Sequence, residues 1–241
     1  LRRRLLWSVV ALAAAFFFCL YFARDIFAFL AQPLLKAGQG KIIYTDIFEA
    51  FFVEIKVAFF AATMLAFPVI ATQIWRFVAP GLYANEKKAF LPFLLMTPIL
   101  FMAGNAMAYY VAMPVALKFL LGFSGNVGGI QQEALPGVGN YLGFVTKFLF
   151  GFGVAFLLPV LLLLLERAGI VTIAQLKAGR RYAVVGIAAV AAVLTPPDIM
   201  SQILLLVPMY MLYELAIIAI MLTGPKKLQA ADPADADEAG A

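Results

Sequence analysis

The sequence predicts an all-α membrane protein with six transmembrane helices, and three observations carry that prediction. Hydrophobic residues make up 65% of the chain and charged residues only 13%, against roughly a quarter charged in a soluble domain. The apolar residues are gathered into runs, several of about 20 residues, which is the length an α-helix needs to cross the hydrocarbon. The connections between runs are alternately rich and poor in Lys and Arg, the pattern that orients a polytopic chain.

Composition also excludes several chemistries. With no His and a single Cys, Cys19 inside the first run, there is no Cys/His metal cluster, disulfide framework or Cys–His dyad. Neither GxxxxGK[ST] nor GxGxxG occurs, so nucleotide-driven pumping has no visible home. No metal, cofactor or catalytic residue is assigned. The net charge of +5 reads as an orientation signal, not as a nucleic-acid footprint.

The first run, Leu5–Phe22, follows Arg2, Arg3 and Arg4. No small-residue cleavage site follows a short apolar core, so it reads as a retained helix with its N-terminus in the cytoplasm. Arg24–Ala50 is an amphipathic connection, expected to form a short helix lying on the outer membrane surface and broken at Pro33. Thr45 or Asp46 is the expected N-cap of the next helix. The second span covers Phe51–Phe77, with Pro68 expected to bend it. Ala79–Lys88, APGLYANEKK, then turns the chain on the inner side. The third span, Ala89–Val115, holds Pro92, Pro98, Gly104 and Asn105. Lys118–Asn140 is a Gly-rich outer loop, and Tyr141–Leu165 is the fourth span.

The last two helices are expected to be short. Tyr182–Leu194 is about 13 residues, or roughly 20 Å of helix against about 30 Å of hydrocarbon. Thr195-Pro196-Pro197-Asp198 turns the chain into Ile203–Leu222, which contains Pro208 and Glu214. The expected division is a six-helix domain over residues 1–224 and a disordered cytoplasmic tail over 225–241, whose DPADADEAGA is too polar to pack. Both termini are then cytoplasmic. Arg2, Arg3, Arg4, Arg76, Lys87, Lys88, Arg167, Lys177, Arg180, Arg181, Lys226 and Lys227 fall inside. Arg24, Lys36, Lys41, Lys56, Lys118 and Lys147 fall outside. That bias places Glu86 in the cytoplasm. The prolines together predict a concave wall of bent helices.

LTPPDIMSQILLLVPMYMLYE, Leu194–Glu214, resembles the C-terminal hairpin of the TatC family, the large subunits of twin-arginine protein translocases. LRRRLL at the start, AQPLL around Pro33, FVAPGLY with Glu86 and its basic neighbours, and FGVAFLLP follow the family in the same order. The resemblance covers the chain apart from the tail. Two departures stand out. The family usually carries a Glu just before its Leu-Arg-x-Arg motif, whereas this sequence begins at Leu1; and where many members have Glu or Gln in the fourth helix, this chain has Leu157.

The resemblance implies a multi-pass protein of the bacterial inner membrane that receives twin-arginine signal peptides of folded cargo. It also implies export driven by the proton-motive force, in an oligomeric complex with small single-span TatA- and TatB-type subunits in the membrane lipid. The candidate signal-peptide site is Glu86 with Arg76, Lys87 and Lys88. A guanidinium is a planar fork of donors that grips a carboxylate through two parallel bonds, which lysine does not copy. The plain alternative is a solvated loop whose charges sit in the headgroups. Pro33, Pro80, Pro196, Pro197, Asp198, Gln202 and Glu214 are structural or partner-docking candidates. Asp198 reads foremost as an N-cap of the sixth helix; Glu214 reads equally as a docking acid or as the partner of a backbone group or an amide such as Gln202. The competing function is a secondary transporter of a small solute or ion, which would need a midplane site at broken helices in a repeat. An intramembrane enzyme lacks a constellation to perform catalysis.

Overall fold

Helices follow the apolar runs, with departures at several prolines and at the bend after Tyr21. The computed structural model describes residues 2–82, 91–127, 130–132, 134–167, 169–195 and 199–223. In chain order these form α1 (Arg2–Tyr21), α2 (Ala23–Lys36), α3 (Glu49–Leu82), α4 (Leu91–Met107), a π-helical turn (Ala108–Ala112) and α5 (Met113–Leu121). A short antiparallel hairpin follows, β1 (Gly125–Val127) with β2 (Ile130–Gln132). The chain continues as α6 (Val138–Ala155), α7 (Leu158–Arg167), α8 (Ile173–Ala178), α9 (Arg180–Leu194) and α10 (Ile199–Thr223).

Among the described residues, four stretches are long and apolar enough to cross a membrane: Glu49–Trp75, Leu95–Leu121, Val138–Arg167 and Ile199–Leu222. Leu5–Tyr21 and Ala23–Lys36 reach that measure only when taken together, as a pair bent by 79°. Exposed Phe, Leu, Val and Ile side chains cover the outer faces of these helices, as a lipid solvent allows. Between helices, α1 packs on α3, α4 on α6, and α10 on α7 and α9. The buried centre contains Phe101, Met113, Phe148, Phe152, Leu205 and Ile217.

The last helix corrects an expectation. Only α9, with 15 residues, is short, at about 22 Å; α10 has 25 residues. It begins four residues earlier than the apolar run, at Ile199, and continues through Pro208. The fourth span, in contrast, is not one helix. It stops at Ala155 and restarts at Leu158, because Pro159 has no N–H to give the Ala155 carbonyl and its ring crowds that turn. Phe156 N–H still reaches the Phe152 carbonyl (3.0 Å), while Leu157 N–H tightens onto Val154 (3.0 Å). In the third span the wide turn at 108–112, where Met113 N–H bonds the Ala108 carbonyl, comes directly before Pro114 and lets the helix continue past it.

Pro33 does not break α2, which runs on to Lys36. A proline orphans the carbonyl four residues back, here that of Phe29, and Tyr109 supplies the missing donor. Its hydroxyl donates to the Phe29 carbonyl at 2.6 Å, and the two rings stack with centroids 4.5 Å apart. The Tyr141 hydroxyl donates to the next carbonyl, Leu30, at 2.8 Å. Tyr109→Phe is therefore expected to lower stability by about 1 kcal/mol. Pro33→Ala on that background should recover it, because an alanine N–H fills the same carbonyl; thermal unfolding of the two purified variants in detergent checks both.

One end of the bundle is closed by Glu49. Its carboxylate accepts from Thr45 N–H, from the Thr45 hydroxyl (2.9 Å), from Asp46 N–H (3.3 Å) and from Gly139 N–H (2.5 Å). Beside it, Ile43 N–H bonds the Pro136 carbonyl (3.2 Å) and Val138 N–H bonds the Ile43 carbonyl (2.9 Å). The connection between α2 and α3 is thus sewn to the start of α6. Asp46, an expected N-cap, accepts from Phe48 N–H (3.2 Å) and so closes the turn before α3 instead of its first turn.

Candidate functional site

Glu86, Lys87 and Lys88 lie outside the described residues, as do Pro196, Pro197 and Asp198. What is described is the frame that carries the first group. The chain leaves α3 at Leu82 and enters α4 at Leu91, with Arg76 and Pro80 on the last two turns of α3. Those two helices are joined one residue before Arg76. The indole N–H of Trp75 donates to the Thr97 hydroxyl at 2.9 Å, with both side chains buried. Trp75 packs with Ala71 and with Val160 of α7, against Phe67, Leu100 and Leu164. From that joint, α3 continues about 10 Å to Leu82 and α4 begins about 9 Å away at Leu91, at 1.5 Å per residue. Residues 83–90 therefore start and end on two helices whose spacing is fixed only two turns back.

The remaining candidates fall into two groups. Pro33 is buried within α2, and its consequence is the Tyr109 bond. Gln202 Nε2 donates to the Ala188 carbonyl at 3.2 Å, tying α10 to α9. Glu214 corrects an expectation: its partners are neither a backbone group nor Gln202. Oε2 takes Arg180 Nη2 at 2.8 Å and Oε1 takes the Tyr210 hydroxyl at 3.0 Å. Next to it the Tyr213 hydroxyl donates to the Leu176 carbonyl at 2.8 Å. Glu214 thereby holds the start of α9 to the far half of α10, with α8 joined through Tyr213.

Besides the tyrosine bonds to carbonyls, sequence reasoning missed three contacts between side chains of different helices. They are Trp75 with Thr97, Arg180 with Glu214, and Arg24 with Glu54, the last at 3.1 Å. A polar atom inside an apolar run was the available signal for the first, since a buried indole N–H requires an acceptor. Leu157, at the family's usual polar position, sits in the break between α6 and α7. Among the described residues, no group of His, Cys, Asp and Glu is arranged to hold a metal ion.

Known proteins share this arrangement. The family model described as Sec-independent protein translocase protein (TatC) matches residues 1–208. A Sec-independent protein translocase protein TatC of Magnetococcus marinus is 48% identical over 219 residues, covering 90% of this chain and 79% of its own length. Its counterpart in Escherichia coli is 39% identical over 219 residues, covering 90% and 83%. A crystal structure of a twin-arginine translocase receptor TatC, determined in the detergent DDM, superposes with a TM-score of 0.79 at 38% identity, covering 91% of this chain and 96% of that one.

Proposed function

Because the chain belongs to the TatC family, and is thus a non-enzymatic, multi-pass membrane subunit of a protein-export translocase, we propose that it is the receptor for twin-arginine signal peptides. On this reading Glu86 receives the paired guanidiniums at the cytoplasmic face, and Arg76, Lys87 and Lys88 border the site. Folded cargo then crosses the bacterial inner membrane on the proton-motive force, with TatA- and TatB-type single-span subunits assembling in an oligomer around this one. Six spans, cytoplasmic termini, a concave wall and a cytoplasmic tail over 225–241 complete the proposal. The two-to-one positive charge bias supports that orientation, and so does α2, turned 79° from α1 as a helix lying along the surface would be.

The observation that carries the reading is the buried joint at Trp75, packed on Ala71 and Val160 and bonded to Thr97 (2.9 Å), which fixes the two helices flanking residues 83–90. A carboxylate presented from a fixed frame loses less freedom on binding, and pre-organisation of that kind raises affinity. An exposed carboxylate–guanidinium pair contributes only about 0–1 kcal/mol, while a sheltered, charge-assisted one gives about 1.5–3 kcal/mol. Specific recognition needs the second regime. The test is crosslinking of a twin-arginine peptide and of its twin-lysine counterpart to the detergent-solubilised protein. Glu86→Lys should weaken the arginine peptide at least about tenfold with thermal unfolding unchanged. Equal capture of both peptides, or full capture by a folded Glu86→Lys variant, would refute the receptor reading.

A further inference from the structure

A cavity of about 310 Å³ opens between α2 and α3, lined by Arg24, Phe27, Tyr44, Ala50, Val53 and Glu54. Clefts that hold small ligands begin at about 300 Å³. Its two charged residues face each other, with Arg24 Nε 3.1 Å from Glu54 Oε1. That contact uses one donor of the guanidinium and one oxygen of the carboxylate. Among the described residues, neither Nη group of Arg24 nor Oε2 of Glu54 is engaged elsewhere. The side chains are 89% and 42% exposed. The cleft is therefore neutral overall, yet offers an open fork of donors beside an open acceptor, with Phe27, Ala50 and Val53 as its apolar wall.

The complement of such a cleft is a ligand that carries an anion and a hydrogen-bonding cation on one short linkage. Guanidinium nitrogens match phosphate oxygens, and a carboxylate oxygen matches an ammonium N–H. A purely anionic headgroup brings its charge against Glu54. A choline headgroup has no N–H to donate. The surroundings identify the source of the ligand: Tyr44, Ile47, Phe48, Phe51 and Phe52 are all exposed at this end of α3. Tyrosines such as Tyr44 collect where a membrane protein meets the headgroup layer, and the exposed Phe and Ile side chains beside it are apolar surface for lipid to cover. We propose that this cleft is a lipid site selective for a phosphoethanolamine headgroup, its phosphate on the Arg24 Nη groups and its ammonium on Glu54 Oε2.

The test is native mass spectrometry of the delipidated full chain in detergent, offered dioleoyl phosphatidylethanolamine, phosphatidylglycerol and phosphatidylcholine in equal amounts. The wild-type chain should retain phosphatidylethanolamine about five- to tenfold over phosphatidylcholine, the share expected of one partly solvated hydrogen bond. Retention should fall stepwise through the N-monomethyl and N,N-dimethyl lipids, a series that needs no variant. Glu54→Gln should bring the ratio to about one and release the disfavour of phosphatidylglycerol. Arg24→Gln should lower all three. Phosphatidylglycerol held as well as phosphatidylethanolamine, or an unchanged ratio in Glu54→Gln, overturns the proposal. So does release of the lipid by millimolar inorganic phosphate, which would mark a plain anion site.

Discussion

Gly104→Ala is expected to destabilise the helix bundle by about 1–3 kcal/mol, and Gly104→Leu by more. A Cβ at this position would lie 2.7 Å from the Phe152 backbone carbonyl and 2.8 Å from the Phe156 ring. A backbone carbonyl in a helix does not yield as a side-chain tip does, so α4 must move off α6. The contact is reciprocal, because a Cβ on Gly153 of α6 would meet Asn105 and, at 2.6 Å, the Phe101 ring of α4. In lipid there is no hydrophobic drive to press two apolar helices together. Close packing through small residues supplies the attraction instead, so lost contact is not compensated. Gly143 and Gly186 have open space where a Cβ would go, and alanine there should be neutral or stabilising by up to about 1 kcal/mol. Thermal unfolding of the three alanine variants in one detergent gives the comparison; equal melting of Gly104→Ala and Gly143→Ala would contradict it.

Trp75→Ala is expected to cost about 3–5 kcal/mol and to lower twin-arginine peptide capture even with Glu86 intact. The loss has two parts, the packing of a buried indole against Ala71 and Val160 and the hydrogen bond to Thr97. They are separable. Thr97→Val keeps the volume but takes away the acceptor of the indole N–H, at about 1–3 kcal/mol. Trp75→Phe combined with Thr97→Val removes donor and acceptor together, and should cost less than the two single changes summed. Peptide capture should follow the packing, falling in Trp75→Ala and surviving largely in the double variant. If capture were indifferent to Trp75→Ala in a folded protein, the joint would have no bearing on residues 83–90.

How much of this was legible follows from what each feature depends on. Helices came from the lengths of apolar runs, because in lipid a span must satisfy its own backbone. Proline effects did not come the same way. Pro33 was expected to break a helix and lies inside one, whereas the fourth span, expected as one run over Tyr141–Leu165, stops and restarts just before Pro159. Whether a proline breaks a helix depends on who takes the orphaned carbonyl, and for Pro33 that donor is Tyr109, distant in sequence. The 79° bend after Tyr21 has no proline at all. The same limit applied to Glu214, whose partner Arg180 is 34 residues away. The candidate acid itself was found by its position beside basic residues between two long runs, a local pattern. Its frame was not, since Trp75 and Thr97 meet across 22 residues.

The Glu49 carboxylate has a consequence for the order in which the protein is made. Its bond to Gly139 spans 90 residues, so the first three helices leave the ribosome with that oxygen lacking its distant partner. At about 5–20 residues per second, the interval before Gly139 is synthesised lasts about 5–20 s. Throughout it, the Glu49 carboxylate has Thr45 and Asp46 as its local partners, and closure of that end belongs to the second half of translation.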